Sequence, residues 1–176
     1  MAQTTGPFVG IVGSAAGGVQ GLRTGLVEPA LARGWRVGVT LTPTAAVWLR
    51  ALDEIDPMAD LTGLPVRTTP RLPTDPKPHP TVDCYVVAPA SANTLAKLAL
   101  GLADNQATTQ VCEAIGDSVP VVVFPRANSG HTGHPAWAGH LDVLRGAGVV
   151  VVDHAEPEAP MPWPRILDAV QHALAG

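Results

Sequence analysis

Short, continuous apolar runs alternate along this chain with longer segments in which apolar residues recur every three or four positions. The first run is Phe8–Val12, and Val19, Leu22 and Leu26 follow it at helical spacing. Uninterrupted apolar runs are typical of strands buried on both faces, as in a parallel sheet. The alternation predicts an α/β fold, a Rossmann-like doubly wound parallel sheet of about six strands with helices on both faces.

The same pattern divides the rest of the chain. The predicted strands are Phe8–Val12, Arg36–Leu41, a short one around Val66, Cys84–Ala88, Val119–Phe124 and Val149–Val152. The chain has 176 residues, enough for one domain with a full core. We therefore predict a single domain over residues 1–176, in which 153–176 form a tail and a C-terminal helix.

Composition excludes several classes of protein. Hydrophobic residues make up 46% of the chain and charged residues 15%, which is typical of a globular domain, and the net charge is −4. No segment collects Lys and Arg, so we expect no nucleic-acid partner. The apolar runs are too short to span a bilayer, so we expect no membrane association. Two cysteines, Cys84 and Cys112, in a chain without a basic leader segment indicate a reduced, cytoplasmic protein.

A proline-dense loop interrupts the alternation between residues 65 and 80. It contains six prolines: Pro65, Pro70, Pro73, Pro76, Pro78 and Pro80. Proline lacks an amide donor, so this segment is predicted to be neither a central strand nor a helix. Long loops inside a compact domain are usually functional or mobile, and we interpret 65–80 as an active-site loop.

Ligands of doubly wound sheets bind beyond the carboxyl ends of the strands. The first strand ends in Gly13-Ser14-Ala15-Ala16-Gly17-Gly18, whose small residues let backbone amides approach a phosphate. A tight turn that needs glycine is the alternative interpretation. The spacing is not G-x-G-x-x-G, and the second strand ends at Thr42 without an acidic residue, which argues against an NAD site.

A denser polar cluster follows the Cys84–Ala88 strand. Pro89-Ala90-Ser91-Ala92-Asn93-Thr94 precedes a helical pattern, and Gly101-Leu102-Ala103-Asp104-Asn105 follows it. A helix N-cap explains Ser91 or Asn93 but not the whole cluster. The two motifs resemble the signature of the homo-oligomeric flavin-containing cysteine decarboxylases, which include peptidyl-cysteine and phosphopantothenoylcysteine decarboxylases. The resemblance extends from about Phe8 to Val152.

This resemblance implies a bound FMN near a subunit interface of a homotrimer or homododecamer. Carried over by position, the cofactor-binding residues are Gly13, Ser14, Ala15, Thr42, Trp48, Ser91, Ala92, Asn93 and Thr94. The first three would meet the phosphate, and the last four would hold the isoalloxazine and ribityl region. A core aromatic is the alternative interpretation of Trp48.

A second family motif reads Pro-x-Met-Asn-x-x-Met-Trp-x-x-Pro, and residues 125–135 match it in part. Pro125, Asn128 and Pro135 agree, while Ala127 and His131 replace the methionines and Thr132 replaces the tryptophan. In the family the asparagine helps to hold the cysteine carboxylate, so the resemblance implies that role for Asn128. The replacements indicate a smaller and more polar substrate lining.

Histidine is the expected proton carrier, since its pKa lies near neutral pH. The family histidine corresponds in position to Asp75, and the nearest histidine is His79 in the proline-dense loop. His79 is therefore a candidate catalytic residue, with a solvated loop histidine as the alternative. His131 is a second candidate, and together with His134 it forms a His-x-x-His pair, which alone is weak evidence for a metal. We predict no metal site.

The predicted function is FMN-dependent oxidative decarboxylation of a cysteine carboxylate, on a small molecule or a peptide C-terminus, to give an ene-thiol. The tail Asp153–Pro164 lacks the cysteine with which pantothenate-pathway members reduce their product, which favours a peptide-tailoring enzyme. One alternative is an FMN-binding protein without this activity. Another is a flavin prenyltransferase-like enzyme, for which Arg126 is in place but Ala127 replaces the expected acid.

Overall fold

The computed structural model of the chain describes residues 6–153 and 159–176. Within them, five parallel strands form one sheet: β1 (Phe8–Gly13), β2 (Arg36–Leu41), β3 (Cys84–Ala90), β4 (Val121–Pro125) and β5 (Val150–Val151). Their order across the sheet is β2-β1-β3-β4-β5. The winding direction therefore reverses between β1 and β3, as in doubly wound folds. The predicted fold class is confirmed, with five strands in place of about six.

Helices cover both faces of the sheet. They are α1 (Glu28–Ala32), α2 (Pro43–Ala51), α3 (Ile55–Thr62), α4 (Ala92–Leu100), α5 (Gln106–Gly116), α6 (Ser129–Thr132), α7 (Ala136–Gly146) and α8 (Trp163–Ala175). A 3-10 turn at Val19–Gly21 and a π-helical turn at Arg23–Val27 precede α1. Two buried apolar cores result, one on each face, and neighbouring residues of β1 alternate between them: Ile11 belongs to one core and Val12 to the other.

The short strand expected around Val66 is reduced to a single bridge. Arg67 pairs with Thr40, its amide donates to the Val39 carbonyl (2.9 Å) and its carbonyl accepts from the Leu41 amide (2.8 Å). Proline at 65 and at 70 removes the donors that a longer ladder needs, so pairing does not extend.

Strand β3 continues further than predicted, through Pro89 to Ala90. The register of its pairing with β4 shifts between Val87 and Ala90. Pro89 has no amide hydrogen to donate, but its carbonyl accepts hydrogen bonds from the residue that follows β1. The strand therefore remains tied to its neighbour at the edge where ligands of such sheets bind.

Helices α3 and α6 have no counterpart in the sequence prediction. Pro57 lies in the first turn of α3, where an amide has no intrahelical partner and proline is tolerated. Asn128 caps the four-residue α6, since its side chain accepts a hydrogen bond from the His131 amide. Both helices are too short for a periodic signal.

In residues 6–153 and 159–176 no helix is long and apolar enough to cross a membrane. Two short segments lie outside the described residues. They are residues 1–5, where the sequence predicted no basic leader, and residues 154–158 of the predicted tail.

Candidate functional site

A cleft of about 680 Å³ opens beyond the carboxyl ends of β1 to β4. The turn after each of these strands contributes to its wall: Ala15–Gly17 after β1, Thr42–Thr44 after β2, Ser91–Thr94 after β3 and Arg126–Asn128 after β4. Trp48, Lys97, Asp104, Asn105 and His131 complete the lining. The cleft thus lies at the reversal of winding between β1 and β3, where ligands of doubly wound sheets bind.

The turn after β1 is fixed to the turn after β3 by the buried Ser14. Its hydroxyl donates to the carbonyl of Pro89 (2.8 Å) and accepts from the amide of Ser91 (2.7 Å). Its own amide also donates to Pro89 (3.2 Å). Because these groups are already used, Ser14 holds the two turns together and does not line the cleft, contrary to the predicted phosphate contact.

Gly13 also lies behind the cleft. A Cβ built there would approach Leu22 to 2.9 Å and Leu41 to 3.0 Å. An added Cβ would thus crowd two leucine side chains, so packing at the strand end favours glycine here, in line with the alternative interpretation of a tight turn.

The part of this turn that does face the cleft is Ala15–Gly17, of which only Ala15 was among the predicted residues. Among the described residues the amides of Ala15 and Gly17 have no hydrogen-bond partner. Unpaired amides at a turn of small residues suit a phosphate or another oxyanion. The donor set of this turn therefore fits the phosphate of FMN.

The predicted cluster after β3 is held in place by a cap. Ser91 is the N-cap of α4, where its hydroxyl accepts from the Thr94 amide (3.2 Å) and donates to the Thr94 hydroxyl (3.1 Å). Both residues and Ala92 line the cleft, and so does Asn93, whose amide side chain is exposed and has no hydrogen-bond partner among the described residues. The helix cap and the ligand surface are thus the same segment.

The second wall comes from the start of α2. Thr42 is buried, and its hydroxyl forms no hydrogen bond in the described part of the chain. Trp48 is 46% exposed and lines the cleft. A core aromatic would be buried, so the alternative interpretation of Trp48 is wrong, and the side chain offers a flat apolar surface to a ligand.

Arg126 is a cleft residue for which the sequence analysis proposed a role only in a prenyltransferase. Its amide donates to the Ala90 carbonyl (2.8 Å), which fixes the residue beside β3. Its Nη1 atom is buried and has no hydrogen-bond partner in residues 6–153 and 159–176. A buried donor without a partner is costly, so this arginine is prepared for an acceptor that the protein itself does not supply.

Lys97 and Asp104 form a charged pair in the cleft. Lys97 Nζ and Asp104 Oδ2 are 2.6 Å apart, and the hydrogen bond from Lys97 lowers the pKa of the Asp104 carboxyl. Asn105 donates to Asp104 through Nδ2 (2.9 Å) and caps α5 through its own oxygen. The Gly-x-Ala-Asp-Asn motif therefore closes one end of the cleft as a capped turn with a neutralised charge.

Asn128 and His131, two of the predicted catalytic residues, meet at α6. Asn128 Oδ1 accepts from the His131 amide (3.1 Å) and lies 3.0 Å from His131 Nδ1. An amide oxygen only accepts, so Nδ1 carries the hydrogen and Nε2 keeps a free lone pair when the ring is neutral. The Nδ2 group of Asn128 is left free to donate.

His79 does not reach the cleft of its own chain. It lies in a separate groove of about 570 Å³, which the proline-dense loop lines together with β3 and α5. Its Nε2 donates to the Pro65 carbonyl (2.8 Å), and its ring packs near Phe8. Burial lowers the pKa of His79, although the hydrogen bond to Pro65 opposes this and Arg67 adds to it. The irregular loop thus fails to bring the histidine over the predicted flavin site within one chain.

No three His, Cys, Asp or Glu side chains come together as a metal site in residues 6–153 and 159–176. The Nδ1 atom of His134 accepts from the Ala136 amide (3.1 Å), so it acts in the turn ahead of α7.

The model of the Flavoprotein family matches residues 10–174, so the chain belongs to the Flavoprotein family. Among curated proteins, it is 36% identical over 86 residues to the uncharacterized protein MJ0730 of Methanocaldococcus jannaschii, covering 49% of this chain and 46% of the relative. It is 40% identical over 70 residues to the phosphopantothenoylcysteine decarboxylase of Oryza sativa subsp. japonica, covering 40% and 31%. These matches therefore span less than half the length of the curated relatives.

Solved structures match along nearly the whole chain. The FMN-dependent cysteine decarboxylase TvaF from thioviridamide biosynthesis superposes with a TM-score of 0.75 and 26% identity, covering 97% of this chain and 99% of TvaF. MrsD from Bacillus sp. HIL-Y85/54728 has a TM-score of 0.76 at 19% identity over 97% and 98% of the two chains, which supports the fold alone. The predicted resemblance to flavin-containing cysteine decarboxylases is confirmed.

Proposed function

We propose that this chain binds FMN in the cleft and catalyses oxidative decarboxylation of a cysteine carboxylate. The observation that carries the proposal is the convergence of three segments on one cavity: the free amides of Ala15 and Gly17, the Ser91–Thr94 turn, and Asn128 with His131. Family membership and the similarity to TvaF support the same cofactor and reaction class.

The cofactor would be held by the cleft wall. The turn Ala15–Gly17 would receive the phosphate, and Thr42 and Trp48 would contact the flavin from the α2 side. Asn93 and its neighbours in the β3 turn would donate to the ring and ribityl oxygens. When bound, FMN supplies the two-electron oxidation of the cysteine Cβ–SH unit that allows carbon dioxide to leave.

Asn128 is positioned to hold the substrate carboxylate. Its oxygen is committed to the cap of α6, so the side chain is oriented with Nδ2 free to donate. A donor held in this way binds a carboxylate without reorganising its surroundings. The cap geometry and the family motif both support this role.

His131 is the proton carrier that one chain provides. Asn128 fixes the hydrogen on Nδ1, which leaves Nε2 of the neutral ring as an acceptor for a substrate proton. The catalytic role of His79 stays a prediction, and it requires a second subunit because the groove and the cleft of one chain are separate. The homotrimer or homododecamer implied by the resemblance is likewise a proposal.

The lining also bears on the substrate. Ala127 and His131 stand where the family motif has methionines, and both line the cleft. This wall is smaller and more polar than the motif implies, which supports a peptide or small-molecule acid that differs from the phosphopantothenoyl substrate. Loss of decarboxylation with retention of FMN is the alternative, and the same replacements support it.

The first experiment is an absorption spectrum of the purified protein with mass spectrometry of the released chromophore, followed by incubation with cysteine-terminated peptides. We expect bound FMN and a peptide product that has lost carbon dioxide and two hydrogen atoms. A protein that neither contains nor takes up FMN would refute the proposal. Binding of FMN without turnover would identify the alternative, and prenyl transfer to FMN would identify the prenyltransferase-like one.

Asn128→Asp and Asn128→Ala form a matched pair of variants for this assay. Aspartate keeps an acceptor for the α6 cap but repels a substrate carboxylate, so we expect turnover to fall by about 10²-fold or more with little loss of stability. Alanine removes both functions and should also lower the free energy of unfolding by about 1 kcal/mol. Equal turnover in wild type and Asn128→Asp would refute the assigned role.

A further inference from the structure

Arg126 is the one guanidinium that lines the cleft in the part of the chain that the structure describes. Its side chain forms no ion pair and no hydrogen bond among the described residues, and Nη1 is fully enclosed by protein. Arginine is charged at all physiological pH values, so it cannot relieve this burial by losing a proton. The side chain is half-buried, and its enclosed Nη1 donors lack an acceptor, so an anion bound in the cleft would stabilise it.

The other cation of the cleft is in a different state. Lys97 is paired with Asp104 at 2.6 Å, so its charge is balanced within the protein. No carboxylate is similarly placed for Arg126 in residues 6–153 and 159–176. The cleft therefore carries one uncompensated positive charge, and it lies on the β4 wall.

The guanidinium lies beside the small-residue turn after β1. A Cβ built on Gly17 would be 3.8 Å from Nε of Arg126, which is ordinary van der Waals contact. The free amides of Ala15 and Gly17 belong to the same turn. Two amides and a planar, multidentate cation thus border one space, and this is the donor set that phosphate and carboxylate groups prefer.

We propose that the guanidinium of Arg126 binds an oxyanion group of the molecule held in this cleft. Arg126 thereby determines which anionic molecule the cleft accepts. The inference rests on the proposed FMN-dependent function. Two sources of the oxyanion share this chemistry: the phosphate of the flavin nucleotide and the carboxylate of the substrate. Arg126 lies beside Gly17 of the turn proposed to receive the phosphate, whereas Asn128, two residues further on, is the residue to which the proposed function assigns the carboxylate.

The test compares apoprotein binding of FMN and riboflavin by flavin fluorescence in wild type, Arg126→Gln and Arg126→Lys. If the phosphate is the ligand, Arg126→Gln should weaken FMN binding by about 10- to 10²-fold and leave riboflavin unchanged, with Arg126→Lys between them. If the substrate carboxylate is the group bound, Arg126→Gln should leave FMN binding unchanged. Wild type should then bind a cysteine-terminated peptide better than the same peptide with a C-terminal amide, and Arg126→Gln should bind the two equally.

Arg165→Gln is the matched control, because it removes the same charge. Arg165 is exposed on α8 and does not line the cleft. The proposal is overturned if Arg126→Gln matches this control for FMN, riboflavin and both peptides. Failure of wild type to bind FMN would refute the proposed function alone. In that case the melting temperature in inorganic phosphate still decides: phosphate should raise it for wild type and Arg165→Gln but not for Arg126→Gln, and equal shifts would overturn the proposal.

Discussion

The cleft and the groove are similar in volume, about 680 Å³ and 570 Å³, yet their polar side chains differ in whether the protein itself supplies their hydrogen-bond partners. In the groove, His79 already donates to a carbonyl and packs near an aromatic ring. In the cleft, Arg126 has a buried nitrogen with no partner, and Asn128 is held by its cap with its donors free. The groove has one comparable atom, the buried acceptor Gln110 Oε1, which suits a donor and not an anion.

This difference teaches that residue type alone is a poor guide to a site. Histidine suggests catalysis in any loop, but a histidine whose ring donates to a backbone carbonyl, as His79 does to that of Pro65, already has a structural role. Unsatisfied donors at the ends of strands are the stronger signal, since the protein tolerates their cost only where a ligand compensates it. Four predictions test this contrast, beginning with the largest expected effect.

Ser14→Ala should damage the cleft most. The change leaves the half-buried amide of Ser91 without an acceptor and removes a donor to Pro89, so we expect the free energy of unfolding to fall by about 2 kcal/mol. The turns after β1 and β3 would lose their common anchor, and FMN affinity should fall by about tenfold. Chemical denaturation and flavin titration measure the two effects. Ser129→Ala, at an exposed serine of α6, is the control, and equal behaviour of the two variants would contradict the anchoring role.

Gly38→Ala should damage the groove and spare the cleft. An added Cβ would lie 2.8 Å from both His79 Nδ1 and Phe8 Cζ, so overpacking should lower the free energy of unfolding by about 1–2 kcal/mol. Gly139→Ala is the control, because this exposed helical glycine has open space around it and should become slightly more stable. FMN affinity of Gly38→Ala should equal that of wild type. A tenfold weaker affinity would mean that the two regions are coupled.

His79→Gln should change the pH dependence of stability. Burial lowers the pKa of His79 in the folded chain below its ordinary value of 6.5, so the unfolded chain binds more protons between these two values. The contribution of His79 to stability is therefore complete above pH 6.5 and is lost as the pH falls through the folded pKa. Glutamine can still donate to the Pro65 carbonyl but does not titrate, so His79→Gln should flatten this acid limb of the unfolding curve. An acid limb unchanged by the substitution would contradict the assigned burial effect.

The smallest effect concerns the two thiols, which line neither the cleft nor the groove. Burial, with a smaller contribution from Asp83, raises the pKa of the Cys84 thiol to about 12. Cys112 is partly exposed, so an alkylating reagent at pH 8 should modify Cys112 in the folded protein and Cys84 only on unfolding. Peptide mass spectrometry after timed labelling checks this order. Early modification of Cys84 would show that the core around β3 opens locally.

The sequence alone predicted the elements whose signal is local. Strand Arg36–Leu41 has the expected bounds, since apolar residues at alternate positions between a glycine turn and Thr42 are readable without tertiary context. Ser91 and Asn128 were found because each belongs to a contiguous family motif, and the structure shows that both also cap helices. Helix α3, with a proline in its first turn, gave no periodic signal.

The tertiary structure decided which of these local features face a common space. Gly13 and Ser14 belong to the predicted phosphate turn but lie behind it, because Leu22, Leu41 and Pro89 pack against them from distant segments. Arg126 became a site residue only when the parallel sheet placed it beside Gly17. Sequence thus determined the α/β pattern and the polar turns, since these depend on neighbouring residues. Contact between turns more than 70 residues apart, such as the Ser14–Ser91 hydrogen bond, depends on strand order, which the local pattern does not encode.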